Sequence, residues 1–299
     1  MSLDIFELDF DGTITDIDRE TIPAIQGWKR DLAKLMDYSP DRMEARWTEA
    51  ERKILADPHA YGWKRDGRIV GPSASDPFLL ATSINIELFD QEGLYTNDDK
   101  ERQDVMHKIF FANHHNIEPS FKRGADEFLT DMKERYKVHI VTNSKADSVE
   151  KKLRLLAHDH TDIKVHDGAN KYDVHPDWTP DGRGLPYRVH KQGFGRALEV
   201  RRKDYWESLT RIMDREDAAP ENVAVVGDIY EFDLLLPELL GMRTVLVPRG
   251  RTSQAEVEAV RDSPRGYVAT DLWDVREHLA SNTHKEYAGF EHRPDAHNA

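Results

Sequence analysis

Cysteine is absent from the 299 residues. That removes disulfide frameworks, thiolate nucleophiles and Cys-ligated zinc or iron–sulfur centres. Long hydrophobic runs are missing too, since no stretch approaches the ~18 apolar residues that span a bilayer. Positive charge is scarce: 42 Lys+Arg stand against 56 Asp+Glu, a net charge of −14. Nucleic acid backbones and anionic lipid attract basic surfaces, so neither is an expected partner. The chain runs straight into Leu3-Asp4-Ile5-Phe6 with no basic and apolar leader. A soluble, cytoplasmic protein is the expectation.

What is present is enough apolar sequence for one large or two modest domains, at 38% of the chain. Asp4 to Phe10 reads as a buried strand stopped by Asp11-Gly12-Thr13. About a hundred residues of helical character follow. Ile22, Ile25, Trp28, Leu32 and Leu35 recur at spacings of three and four, as do Met43, Trp47, Ala50 and Ile54 after a Ser39-Pro40-Asp41 start. Gly62 to Asp76 is turn-rich, and Pro77 to Leu88 is ambiguous between helix and strand. From Gly124 strands and helices alternate. Strands are expected at 137–141, 163–165, 222–226 and 244–247, with a last short strand and helix over 268–279. Ser144 is the expected N-cap of the helix that carries Val149 and Leu153. The final segment, 281–299, is polar and aperiodic and reads as a loosely docked tail.

Alternating strands and helices predict an α/β fold with a parallel sheet, and such sheets bind ligands beyond the carboxyl ends of their strands. Three predicted strand ends carry polar signals: Asp9/Asp11, Thr142 and Asp228. Two carboxylates at i and i+2 point to one side if the strand persists, and like charges that close need a proton or a cation between them. Mg²⁺, a hard ion that takes carboxylate oxygens, is the natural partner. The plainer role for Thr142 and Asp228 is helix capping. Their common position after apolar strands, in this order, carries the weight.

Asp9-Phe10-Asp11-Gly12-Thr13, Ile140-Val141-Thr142-Asn143-Ser144 and Gly227-Asp228-Ile229-Tyr230-Glu231-Phe232-Asp233 resemble the first, second and fourth motifs of the haloacid dehalogenase-like (HAD) hydrolase superfamily. The third motif is a lone basic residue. Lys203 fits its place ahead of a helix, with Arg202 and Lys191 as rivals. The resemblance implies a Rossmann-like parallel-sheet core over 1–14 and 121–280, with a mainly α-helical cap domain inserted over 15–120. It implies a phosphatase-type member, because dehalogenase members lack an acid where Asp11 stands. In that reading Asp9 is the nucleophile and Asp11 the general acid and base, its pKa raised by its neighbours. Thr142, Asn143, Ser144 and Lys203 hold the phosphoryl group. Asp9, Asp11 (through its backbone carbonyl), Asp228 and Asp233 hold Mg²⁺, with Glu231 as an alternative to Asp233 in support. The expected activity is hydrolysis of a small phosphorylated metabolite through an aspartyl phosphate. The alternatives are a sugar-phosphate mutase and a non-catalytic phosphate- or Mg²⁺-binding regulator.

Overall fold

The computed structural model describes residues 3–57, 60–65, 67–96, 98–114, 117–180 and 184–288. In chain order the elements are β1 (Ile5–Leu8), α1 (Ile17–Glu20), α2 (Ile22–Leu35), α3 (Pro40–Ala56), β2 (Gly62–Arg65), β3 (Arg68–Pro72), α4 (Pro77–Glu92) and α5 (Asp99–His114). Then come α6 (Ala125–Arg135), β4 (Lys137–Val141), α7 (Ala146–Leu153), β5 (Lys164–His166), β6 (Arg188–Val189), β7 (Leu198–Glu199) and α8 (Lys203–Glu216). The chain closes with β8 (Val223–Gly227), a π-helical turn (Tyr230–Leu234), α9 (Leu235–Leu240), β9 (Arg243–Leu246), α10 (Gln254–Arg261), β10 (Gly266–Val268) and α11 (Leu272–Ala288).

The fold is α/β and Rossmann-like. Six strands form one sheet in the order β10-β9-β8-β1-β4-β5, and every pairing in it is parallel. Parallel strands need crossovers, so helices cover both faces and the strands are buried on both sides. Alternation within each strand divides the core. Phe6, Leu8, Val138, Ile140, Ala224 and Val226 pack with Phe128, Leu129 and Met132 of α6 and with Leu272 and Val275 of α11. Ile5, Val141, Val223 and Val225 face the other way, onto Tyr205, Leu209 and Ile212 of α8 and Val260 of α10. Phe6 and Phe128 meet edge to face at 5.9 Å between ring centroids, a geometry that adds roughly 0.5–1.5 kcal/mol to burial.

A third apolar cluster lies wholly within the helical segment after β1, built on Trp28, Leu32, Met43, Trp47, Ala50, Ile54, Ile84 and Leu88. In α3 all four stripe residues are buried, and Ser39 caps the helix by accepting the Arg42 amide. In α2 the buried face is Trp28, Leu32, Ala24 and Ala33, while Ile22 and Leu35 at its ends are exposed. The ambiguous stretch at Pro77 is helix α4, started by Asp76 accepting the Phe78 and Leu79 amides. The turn-rich stretch before it holds the antiparallel β2–β3 hairpin. Chain segments 14–16 and 120–122 run side by side where this layer joins the core: the Asp16 amide donates to the Ser120 carbonyl at 2.7 Å and the Lys122 amide to the Ile14 carbonyl at 2.9 Å.

Two expectations are corrected. The segment from Ser281 is not tail at once, because α11 continues to Ala288; residues 289–299 lie outside the described residues. Ser144 is not the N-cap of α7. That helix begins one residue later, behind Lys145, which makes no side-chain cap bond. The Ser144 hydroxyl turns into the site instead.

Candidate functional site

Polar groups collect at the carboxyl ends of β1, β4, β5 and β8, beside the point where strand order reverses across β1. Asp9 follows β1 directly, and its amide still pairs with the Val226 carbonyl at 2.9 Å. Its side chain is buried. The chain then turns at Gly12, which has φ +93°. A Cβ there would fall 2.5 Å from Asp228 Oδ2, so both the backbone conformation and the close approach require glycine. Thr13, past this turn, donates toward Asp9 Oδ2 and Asp228 Oδ1, each at 3.2 Å.

Asp9 does not share a partner with Asp11. Lys171 Nζ donates to Asp9 Oδ1 at 2.8 Å and to Asp233 Oδ1 at 2.9 Å. Lys171 is 2% exposed, an ammonium enclosed between two carboxylates. Asp11 swings the other way and accepts from the Ser144 hydroxyl and, at 2.8 Å, from Lys152 Nζ. Lys152 in turn holds Glu20 Oε2 at 2.8 Å. The neighbours of Asp11 are thus a hydroxyl and an ammonium, both donors.

The expected basic residue is corrected. Lys203 opens α8 on the surface, 41% exposed, with Glu207 Oε1 3.7 Å away. Lys191 pairs with Glu238 at 2.6 Å. Arg202 is fully buried, but it donates to the Lys171 carbonyl, to the Val70 carbonyl at 2.7 Å and to Glu231 at 3.4 Å. It braces the chain at Lys171 and does not reach Asp9. Asn143 helps, its Oδ1 accepting the Lys171 amide at 2.7 Å. Thr142 is buried, and its Oγ1 accepts the Ser144 amide at 3.0 Å.

Oxygens of Asp9, Asp228 and Asp233 lie within 4.8 Å of one another, the metal-suited cluster among the described residues. Asp233 Oδ2 also accepts the Ile229 amide at 3.0 Å, and Tyr205 donates to the Asp233 carbonyl at 2.8 Å. The Asp11 carboxylate is not in this cluster, and Glu231 is held apart by Arg196 and Arg202. Burial pushes the Asp9 carboxyl well above its usual range; Lys171 opposes this, and Asp233 and Asp228 add to it. Asp228 is raised for the same first reason, with Arg249 opposing. Glu7, on the same side of β1, is driven up to about 8, chiefly by burial. Buried carboxylates this close are short of positive charge, and an all-oxygen set suits a hard divalent cation.

A family model described as HAD-hydrolase-like matches residues 200–275, which contain Asp228 and Asp233. Residues 200–275 thus match a HAD-like hydrolase in sequence, and Asp9, Thr142 and Asp228 stand at adjacent strand ends of the sheet they belong to. No curated protein matches the chain in sequence. Solved HAD structures match its fold over nearly the whole length. A predicted phosphoglycolate phosphatase from Haemophilus somnus 129PT has a TM-score of 0.54 at 13% identity, covering 93% of this chain and 98% of that one. A HAD-like hydrolase from Streptococcus pneumoniae has 0.52 at 15%, covering 93% and 98%. The HAD hydrolase YfnB of Bacillus subtilis, bound to magnesium, has 0.51 at 14%, covering 94% and 100%. These likenesses concern the fold.

The structure brings together Asp9, Thr142, Asn143, Ser144, Asp228 and Asp233, and leaves Lys203 outside. Lys171, Lys152 and Arg249 were missed. Lys171 lies five residues beyond β5, in a Gly- and Asp-rich stretch, and Arg249 lies three beyond β9. Their distance past a strand's carboxyl end was the available signal.

Proposed function

We propose that this protein is a HAD-type, Mg²⁺-dependent phosphohydrolase acting on a small phosphorylated compound. The observation that supports it most is the buried Asp9 carboxylate, paired with Lys171 and flanked by Asp228 and Asp233, with a second acid, Asp11, two residues on. Asp9 attacks phosphorus as the bond to the leaving oxygen breaks, and an aspartyl phosphate forms. Asp11 gives its proton to the departing alkoxide. It then takes a proton from the water that attacks the phosphoenzyme, and Asp9 and phosphate are released. For this Asp11 must leave Ser144 and Lys152 and turn toward the reacting oxygen. Lys171 offsets charge on Asp9 and on the phosphoryl oxygens, the role that the sequence had suggested for Lys203. Thr142 offers its hydroxyl to a phosphoryl oxygen.

Asp9, Asp228 and Asp233 would hold the cation, with the Asp11 backbone carbonyl. When bound, Mg²⁺ supplies charge neutralisation at the phosphoryl group. Support for this metal comes from the oxygen-only donor set and from the magnesium-bound relative YfnB.

The test is release of phosphate from p-nitrophenyl phosphate and a panel of phosphorylated metabolites with and without Mg²⁺. Asp9→Asn should abolish it and Asp11→Asn should lower it by about 10²–10⁴-fold. Undiminished turnover in Asp9→Asn overturns the nucleophile. Isomer formation from hexose phosphates without phosphate release would point to a mutase.

A further inference from the structure

Arg249 is the basic group whose place the proposed mechanism leaves unexplained. Its side chain is 6% exposed. Nε donates to Asp228 Oδ2, Nη1 to Asp18 Oδ2 at 3.2 Å, and Nη2 to the Ser75 carbonyl. One guanidinium therefore joins an acid of the metal-suited cluster to α1 and to the turn ahead of α4, both in the segment between β1 and α6. Asp18 is held a second time, by Arg251 at 3.0 Å, and Arg251 also reaches Glu51 at 3.4 Å. Asp76, which caps α4, lies close enough to feel the Arg249 charge. So does Lys122, beside the paired crossing segments.

Both Asp228 oxygens are engaged, Oδ1 by Thr13 and Oδ2 by Arg249. A divalent cation on this carboxylate meets a fixed unit charge at hydrogen-bond range. Two such cations repel strongly where water is excluded. Arg249 has a second anionic partner in Asp18 and a carbonyl in Ser75, so it can give up Asp228 without being left unpaired. Retaining all three contacts with a dication present is the costly arrangement.

We propose that Arg249 is a positioning residue that exchanges with a divalent cation at Asp228, so that metal occupancy loosens the tie between the core and residues 17–20 and 73–75. The inference rests on the cation site of the proposed function. Linkage makes it reciprocal: the factor by which bound metal loosens this tie is the factor by which the tie lowers metal affinity.

Calorimetric titration of the full chain with MgCl₂ alone, combined with hydrogen exchange at residues 16–21 and 73–76, tests it without any substrate. In the unsubstituted protein, saturating Mg²⁺ should raise exchange in both segments. Arg249→Gln should bind Mg²⁺ about tenfold more tightly, within the usual range of coupling factors, and should exchange fast with or without metal. The exchange measurement on the unsubstituted protein stands even if the variant does not fold. Equal or weaker Mg²⁺ affinity in Arg249→Gln, or segments that Mg²⁺ leaves unmoved or protects, overturns the coupling. If the protein turns over phosphoesters with Mg²⁺ in those cases, the function stands and only the coupling falls. No Mg²⁺ binding at millimolar concentration overturns both the coupling and the metal part of the function.

Discussion

Replacing Lys171 by Met, with Lys203→Met beside it, is the sharpest test of the site. Lys171 Nζ lies 2.8 Å from Asp9 and 2.9 Å from Asp233 with its side chain 2% exposed. Methionine keeps most of the volume and removes the charge. Two buried carboxylates then lose their only shared counter-ion among the described residues. Breaking a buried pair in this way costs about 3–5 kcal/mol, because an uncompensated charge stays behind. Proton uptake by Asp9 or Asp233 relieves part of that, so about 3 kcal/mol is the expected loss at pH 7.5 in metal-free buffer. Loss of a preorganised charge at the reacting group costs about 10²–10³ in kcat. Lys203 is 41% exposed and 3.7 Å from Glu207, so its removal should change stability by less than about 1 kcal/mol and leave kcat within a few-fold. Urea unfolding and phosphoester turnover of the two variants decide the matter. A Lys203→Met enzyme that loses turnover while Lys171→Met keeps it would refute the assignment of Lys171 as the basic residue of the site.

Gly12→Ala should impair turnover and lower stability by about 1–3 kcal/mol, since alanine must adopt φ +93° and its Cβ falls 2.5 Å from Asp228 Oδ2; an unchanged urea midpoint would contradict the strain argument. His139 is pushed down to about 4, first by burial and then by the charge on His166. The folded state thus binds fewer protons than the unfolded chain between the ordinary histidine value and about 4, and stability falls as pH drops through that window. The loss is bounded at about 3 kcal/mol, and His139→Gln should flatten the urea midpoint between pH 7 and pH 4.5. A slope as steep as in the unsubstituted protein would assign the effect elsewhere.

The core was legible because hydrophobic pattern alone places it. β1, β4, β8 and β9 are short apolar runs, and each falls within a residue or two of its expected bounds. Burial on both faces is what erases their alternation, and it also makes them easy to find. β6 and β7 are two residues each, too short to carry any period, and were not foreseen. The β2–β3 hairpin was hidden for another reason. Its Gly71 presses against Phe232, with a Cβ placed there only 2.0 Å from Phe232 Cζ. A glycine in such a contact reads in sequence as a turn. The helical tail end at 281–288 is polar, and polarity was mistaken for lack of structure.

The acids of the site were legible and its bases were not, and the asymmetry has a physical cause. Asp9, Asp11 and Asp228 sit within three residues of their strands, where backbone geometry fixes a short side chain, and Asp233 follows Asp228 at the fixed spacing of the π-helical turn. A lysine or arginine has a longer, more flexible side chain, so the backbone position that carries it is freer to vary. Lys171 comes from the loop after β5, Lys152 from the last turn of α7 and Arg249 from the loop after β9, and all three converge on carboxylates of β1 and β8. In a chain with 14 more acidic than basic residues, those three cations answer the carboxylates that the strand ends force together. The charge imbalance that first argued against polyanionic partners therefore does not describe the site. Locally Asp9 with Asp233 faces Lys171, Asp11 faces Lys152, and Asp228 faces Arg249. Three cations thus offset only part of the charge of four carboxylates. In the proposed reaction each of these pairs must open or share before a phosphoryl group and a cation enter, so affinity for substrate and metal depends on how readily those cations give way.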